Sequence, residues 1–227
     1  MNQKSLGRII AYIVVPIVAC IILFILEQIL TVDYYTKTIA KIILFISIPI
    51  FVNKLMKSSN KHIRTSNNSV RDFKIGVCIG LGIIIVILLA YVVFKKHIDS
   101  TAILRELSNK SNITKQNYPF IGLYIIFGNS FLEEYFFRNF MFINFYRAGW
   151  KNVAYASSSL LFSIYHVSIF KTWFPSGIIL LSLLGLLIAG LFLDYVNTKS
   201  NSIFNSWIIH ICADIAVIGI GYMWLLG

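Results

Sequence analysis

Seven apolar segments separated by polar stretches dominate this chain. They fall at about 9–26, 38–52, 75–94, 118–146, 152–170, 177–194 and 203–226. About 20 helical residues cross the hydrocarbon core of a bilayer. The pattern therefore predicts an all-α fold: a polytopic membrane helical bundle of about seven transmembrane helices. The segment at 38–52 is short, carries Pro49 near its end and is questionable as a full crossing. Only 13% of the residues are charged and 58% are hydrophobic, whereas an average soluble domain is about 25% charged. A soluble helical domain with a greasy core does not account for apolar runs this long and this numerous.

The net charge is +11. A basic balance often indicates nucleic acid, but here the cations cluster between apolar runs, among them Lys57, Lys61, Arg64, Arg71 and Lys74. That placement suits anionic lipid headgroups and no nucleic acid. The basic stretch 53–74 reads as a cytoplasmic loop by the positive-inside bias, and Lys4 and Arg8 place the N-terminus on the same side. No small-residue cleavage site follows the first apolar run, so it reads as a retained membrane helix. Residues 27–41, with two acids and two bases, fit an outside loop. Strict alternation then puts the net basic stretch 95–117 outside as well, a conflict that an interfacial helix at 99–109, or a second segment that does not cross, would relieve. Cys20, Cys78 and Cys212 have no ligand spacing and read as small buried thiols.

The two halves differ in kind. Residues 1–117 hold membrane helices joined by basic loops, and residues 118–227 hold helices joined by short turns. In the second half several ionisable residues lie within apolar segments. The stretches are FLEEYFFR (131–138), LLFSIYH (160–166) and WIIHICAD (207–214). A charged group at such depth costs several kcal/mol unless it is paired or wetted, so Glu133, Glu134, Arg138, His166, His210 and Asp214 are the candidate functional residues.

Helical geometry relates these positions to one another. Glu133 stands 16 residues before Gly149 and His166 stands 17 after it. At 1.5 Å per residue both lie about 25 Å from the connecting turn of an antiparallel hairpin, so they face each other at similar depth. Glu134 and Arg138 are four apart and share a helix face, as are His210 and Asp214, and Phe162 and His166. Glu133 is turned by about 100° from Glu134.

A carboxylate opposite a histidine can hold and activate water, and a second histidine can donate to an oxyanion. Asp214 can orient His210 or, if protonated, donate itself. Bland readings stand beside these. Glu134–Arg138 can be a buried structural pair, Glu133 a proton relay, His166 a satisfied bundle histidine and His210–Asp214 a helix-stabilising contact. Ser157, Ser158 and Ser159 suit close helix packing better than a nucleophile's role. His62 and His97 read as surface residues, and Tyr165, Trp207 and Asn205 as interface or supporting side chains. A metal site built from Glu133, His166 and His210, with Asp214 as a further ligand, is the chemical rival, although no HExxH pattern is present. A proton-coupled transporter would show paired broken-helix repeats, and none is evident.

The ordered motifs EExxxR (Glu133, Glu134, Arg138), FxxxH (Phe162, His166) and HxxxD (His210, Asp214) resemble those of the CPBP family, the CAAX-protease and bacteriocin-processing (ABI) membrane proteins. The resemblance covers about 118–226. It implies a helical intramembrane glutamic-type protease needing no cofactor or metal, placed as a multi-pass protein of a bacterial plasma membrane. It assigns water activation to Glu133 and His166, the oxyanion site to His210 and Asp214, and the locking of Glu134 to Arg138. The third motif of the family is HxxxN or HxxxD, with Asn usual in the eukaryotic relatives and Asp seen among bacterial ones, and Asp at 214 makes His210 the better oxyanion candidate. The implied partners are membrane lipid and a peptide or membrane-protein substrate, such as a bacteriocin precursor or a prenylated-like protein. A noncatalytic immunity or scaffold protein is the alternative.

Overall fold

The computed structural model describes residues 3–56, 69–200 and 202–226, all in helices and short connections. Lys57, Lys61, His62 and Arg64 of the basic loop lie outside the described residues. The helices are α1 (Gln3–Gln28), α2 (Tyr34–Leu55), α3 (Ser69–Phe94), α4 (Ser100–Ser111), α5 (118–147), α6 (Lys151–Phe170), α7 (Ser176–Ser200) and α8 (Phe204–Leu226). Six of them, α1, α2, α3, α6, α7 and α8, are long and apolar enough to cross a membrane. The chain is a multi-pass membrane protein.

The remaining long helix, α5, is the axis of the bundle. It contains Glu133, Glu134 and Arg138, and residues 132–143 are buried on every face. Helices α1, α2, α6, α7 and α8 all pack on it. Its polarity is sheltered by protein rather than by lipid, which is why it falls below the hydropathy of a lipid-facing span. Two stretches of α5, Tyr124–Asn129 and Glu134–Phe142, have widened π-helical turns, a feature that often marks functional sites.

The second helix departs from the sequence reading. It is 22 residues long, from Tyr34 to Leu55, where only 38–52 read as apolar. The polar stretch Tyr34–Lys41 is helical because Asp33 caps it, accepting from the Tyr35 and Thr36 amides at 2.9 and 3.1 Å. The Thr36 hydroxyl and these N–H groups hold the exposed Asp33 carboxyl below its ordinary range. Residues 34–41 are thus not an outside loop. Phe45, in a π-helical turn of α2, stacks on Phe136 of α5 with ring centroids 3.9 Å apart.

A helix, α4, does form in the stretch 95–117, capped by Asp99 through the Ala102 amide. Cys20 and Cys212 are buried, but Cys78 is exposed on α3, so that thiol is not a core group. Close approaches use small residues. Gly76 and Gly80 bring α3 against Ile208 and Cys212 of α8, a GxxxG contact of the kind membrane helices favour. Gly190 brings α7 onto α6, where an added Cβ would lie 3.0 Å from the Ser159 Cα. The packing role read for the serines holds at this contact.

Substituting Gly190 by Leu should push α6 and α7 apart and destabilise the protein by about 1–3 kcal/mol, the range for overpacking. Gly185→Ala on the same helix, where an added Cβ meets nothing within 4 Å, should stay within about 0.5 kcal/mol. Unfolding midpoints of the two variants in detergent measure the difference.

Candidate active site

The cluster forms where α2, α5, α6 and α8 meet. The end of the main part of α6 matters first. Its backbone turns at His166, between Tyr165 and Val167, and the His166 Nδ1 donates to the Phe162 carbonyl at 2.8 Å. A carbonyl only accepts, so Nδ1 carries the proton and Nε2 points into the cluster with its lone pair when the ring is neutral. Phe162 lies edge-on to that ring at 4.7 Å.

Glu133 is 1% exposed. Its Oε2 lies 3.7 Å from the His166 Nε2 and 3.7 Å from the His210 Nε2. The equal depth expected of Glu133 and His166 is what the hairpin of α5 and α6 produces. Both distances exceed direct hydrogen bonding. Oε2 is buried and makes no hydrogen bond among the described residues.

The other carboxylate oxygen is fully engaged. Lys41 of α2 donates to Glu133 Oε1 at 2.7 Å, and Asn129, one turn earlier on α5, donates to the same oxygen at 3.0 Å. Lys41 also bonds to the Asn129 side-chain oxygen. Its ammonium rests over the rings of Phe45 and Tyr165, at 5.3 and 5.0 Å. Sequence reasoning missed Lys41, which it counted among the bases of the 27–41 stretch although the apolar segment 38–52 also contains it. The available signal was a lysine at the edge of an apolar segment, on a chain with an unpaired intramembrane glutamate.

Glu134 turns the other way. Its Oε1 lies 3.2 Å from Arg138 Nη1 and 3.0 Å from His210 Nδ1. The structural pair expected of Glu134 and Arg138 is present, and Glu134 also orients His210. Asp214 does not hold that ring by Nδ1. It stands 3.9 Å from Nε2, on the side that faces Glu133. The reason is rotational: the ring reaches back to α5 for Glu134, which leaves only its far nitrogen toward Asp214.

A second unanticipated residue, an acid, completes the network. Asp194 of α7 is fully buried and lies 3.6 Å from Arg138 Nε. Ser158 and Ser159 donate to its two oxygens at 3.2 and 3.0 Å. These serines therefore pack and hydrogen-bond at once. The Arg138 guanidinium also rests over Phe162, 4.1 Å from the ring centroid. Trp207 donates to Ser130 of α5 at 3.0 Å, and Asn205 lies against Gly76 of α3. His97 is in the exposed turn that ends α3.

The metal reading needs Glu133, His166 and His210 to converge as ligands. Among the described residues no group of three or more His, Cys, Asp and Glu side chains is arranged to hold a metal ion. The Lys41 ammonium also sits on the carboxylate that would serve as ligand.

Arg138 bridges two carboxylates across helices, so its loss leaves both buried without that cation. Arg138→Met should destabilise the protein by about 3–5 kcal/mol, the range for breaking a buried pair. Arg138→Lys should recover only part of this, because an ammonium lacks the planar fork that serves both acids. Denaturant unfolding of detergent-solubilised variants gives the comparison.

Residues 115–216 match the family model described as type II CAAX prenyl endopeptidase Rce1-like. No curated protein and no solved structure matches the chain.

Proposed function

We propose that this chain, a multi-pass membrane bundle built around a CAAX-protease-like core, is an endopeptidase that hydrolyses a membrane-associated peptide or protein. The observation that carries the reading is Glu133 Oε2, buried and flanked by two imidazole Nε2 atoms at 3.7 Å each. A water placed among them has a base in Glu133 and an acceptor in the His166 Nε2 lone pair. Attack of its oxygen on a peptide carbonyl carbon transfers a proton to Glu133 and forms a tetrahedral oxyanion. Collapse breaks the C–N bond, and the same proton passes to the leaving amine.

The oxyanion donor follows from the tautomers. Glu134 accepts from His210 Nδ1, so His210 offers an Nε2–H only as the imidazolium. In that form it donates toward the reacting carbonyl, the preorganised stabilisation that such reactions require. Arg138 acts through Glu134 and touches no reacting atom. Each step is metal-independent.

Within the superfamily we assign the chain to the CPBP, or ABI, branch of glutamic-type proteases. Support comes from the three ordered motifs and from Asp214, a residue seen among bacterial relatives in place of Asn. The substrate class that fits this assignment is a bacteriocin precursor or another membrane-bound peptide, in maturation or self-immunity. A prenylated protein, the substrate type named in the matched family, is the other.

Comparison of peptide termini in membranes expressing wild type or Glu133→Gln, at equal level and insertion, tests the proposal. New termini should occur with wild type and vanish with Glu133→Gln, and His166→Asn should reduce their yield by about 10²–10⁴-fold. Identical termini in all three, with intact host protection, would instead indicate an immunity or scaffold protein that binds without cleaving.

A further inference from the structure

Glu133 has two oxygens in different circumstances, and the difference originates outside the matched region. Lys41 lies on α2, 92 residues from Glu133 in sequence. It is 6% exposed. Lysine is almost never buried this deeply without a partner. Three features fix its ammonium: the Glu133 Oε1 at 2.7 Å, the Asn129 side-chain oxygen, and the aromatic faces of Phe45 and Tyr165. Asn129 closes the triangle by donating to Oε1 from its amide nitrogen at 3.0 Å. Among the described residues, two N–H donors therefore converge on Oε1 and none on Oε2.

We propose that Lys41 is a positioning residue for Glu133: with Asn129 it occupies Oε1 and supplies the countercharge, so that a carboxylate presents Oε2 to His166 and His210. The proposal rests on the reading of Glu133 as the water-activating base. The groups facing Glu133 are Lys41 from α2, His166 from α6, and His210 and Asp214 from α8, with Cys20 of α1 and Tyr165 of α6 nearby. Lys41 is the only lysine or arginine in that set. Without it, the buried acid would keep its charge only against two histidines whose protons are needed elsewhere. An apolar surround neutralises an unpaired carboxylate by protonating it, and a protonated Glu133 cannot accept a proton from water.

The chain has four glutamates, Glu27, Glu106, Glu133 and Glu134, which makes a direct measurement practical. The full-length protein, labelled with ¹³C at the glutamate δ-carboxyl and held in lipid nanodiscs at neutral pH, gives four resonances. Glu133→Gln identifies the one that matters. It should sit at the carboxylate position in wild type and in Lys41→Arg. In Lys41→Gln and Lys41→Met it should move to the carboxylic acid position. A Glu133 resonance that stays at the carboxylate position in folded Lys41→Gln overturns the proposal.

If both neutral single variants fail to fold, the double variant Lys41→Met/Glu133→Gln decides. Folding restored by removing both charges supports the pairing, and continued misfolding refutes it. The spectroscopy needs no substrate, so it separates this proposal from the protease reading. Absence of cleavage by wild type would sink the protease alone. Where cleavage is measured, Lys41→Gln should lower kcat by about a hundredfold with little change in KM, and Lys41→Arg should restore most of it.

Discussion

A carboxylate buried in an apolar bundle is costly unless a nearby cation matches it, and this requirement shapes the centre of the protein. Two cations meet it. Lys41 serves Glu133, and Arg138 serves Glu134 and Asp194. The pairings join elements far apart in the chain: α2 with α5, and α5 with α7. Such pairs add little net stability over apolar packing, yet are costly to break. Their effect is to fix which helices are neighbours and in what rotation. A half-turn of α5 would carry both its acids away from their partners, so the register of the bundle and the geometry of the site are one constraint.

The adjacency of the two glutamates becomes intelligible in this light. Consecutive residues on a helix point about 100° apart, so Glu133 and Glu134 address different neighbours from one turn of α5. Glu133 faces α2 and α6, and Glu134 faces Arg138. His210 lies between them, holding Glu134 by one nitrogen and facing Glu133 with the other. The ring thus links the structural side of the network to the chemical side. Its orientation is set by a group with an Arg138 countercharge, and not by the longer Asp214 contact at 3.9 Å.

Much of this is legible in the sequence because it is local or nearly so. Apolar run length marks the spans, i,i+4 spacing pairs Glu134 with Arg138, and equal distance from the turn at Gly149 brings Glu133 and His166 to one depth. What escapes is non-local. Lys41 looks like a loop residue because hydropathy assigns a full penalty to a charge whose partner is 92 positions away. The same penalty makes α2 read as shorter than it is. Asp194 is hidden at the end of an apolar segment, where an acid ordinarily marks the emergence of the helix. In the fold α7 continues to Ser200, and Asp194 is buried against Arg138. Pattern reading finds partners along one helix face; it has no term for a partner delivered by another helix.

The identity of the residue at position 214 bears on which group could serve an oxyanion in the proposed mechanism. An asparagine at this position would offer an N–H to a developing oxyanion. An ionised aspartate offers only acceptors, and its Oδ1 stands near the same His210 Nε2 that the oxyanion would use. In the proposed mechanism oxyanion donation would then fall on His210, as the imidazolium whose Nδ1–H is taken by Glu134 and whose Nε2–H is free. Asp214, 3.9 Å from that nitrogen, is too far to hydrogen-bond it directly, and in the proposed mechanism the Glu133 carboxylate, paired with Lys41, is the group that would accept the proton of water. The two oxygens of Glu133 differ in their partners: Oε1 accepts from Lys41 and Asn129 and Oε2 from no described residue, and on the proposed reading it is Oε2 that would meet water.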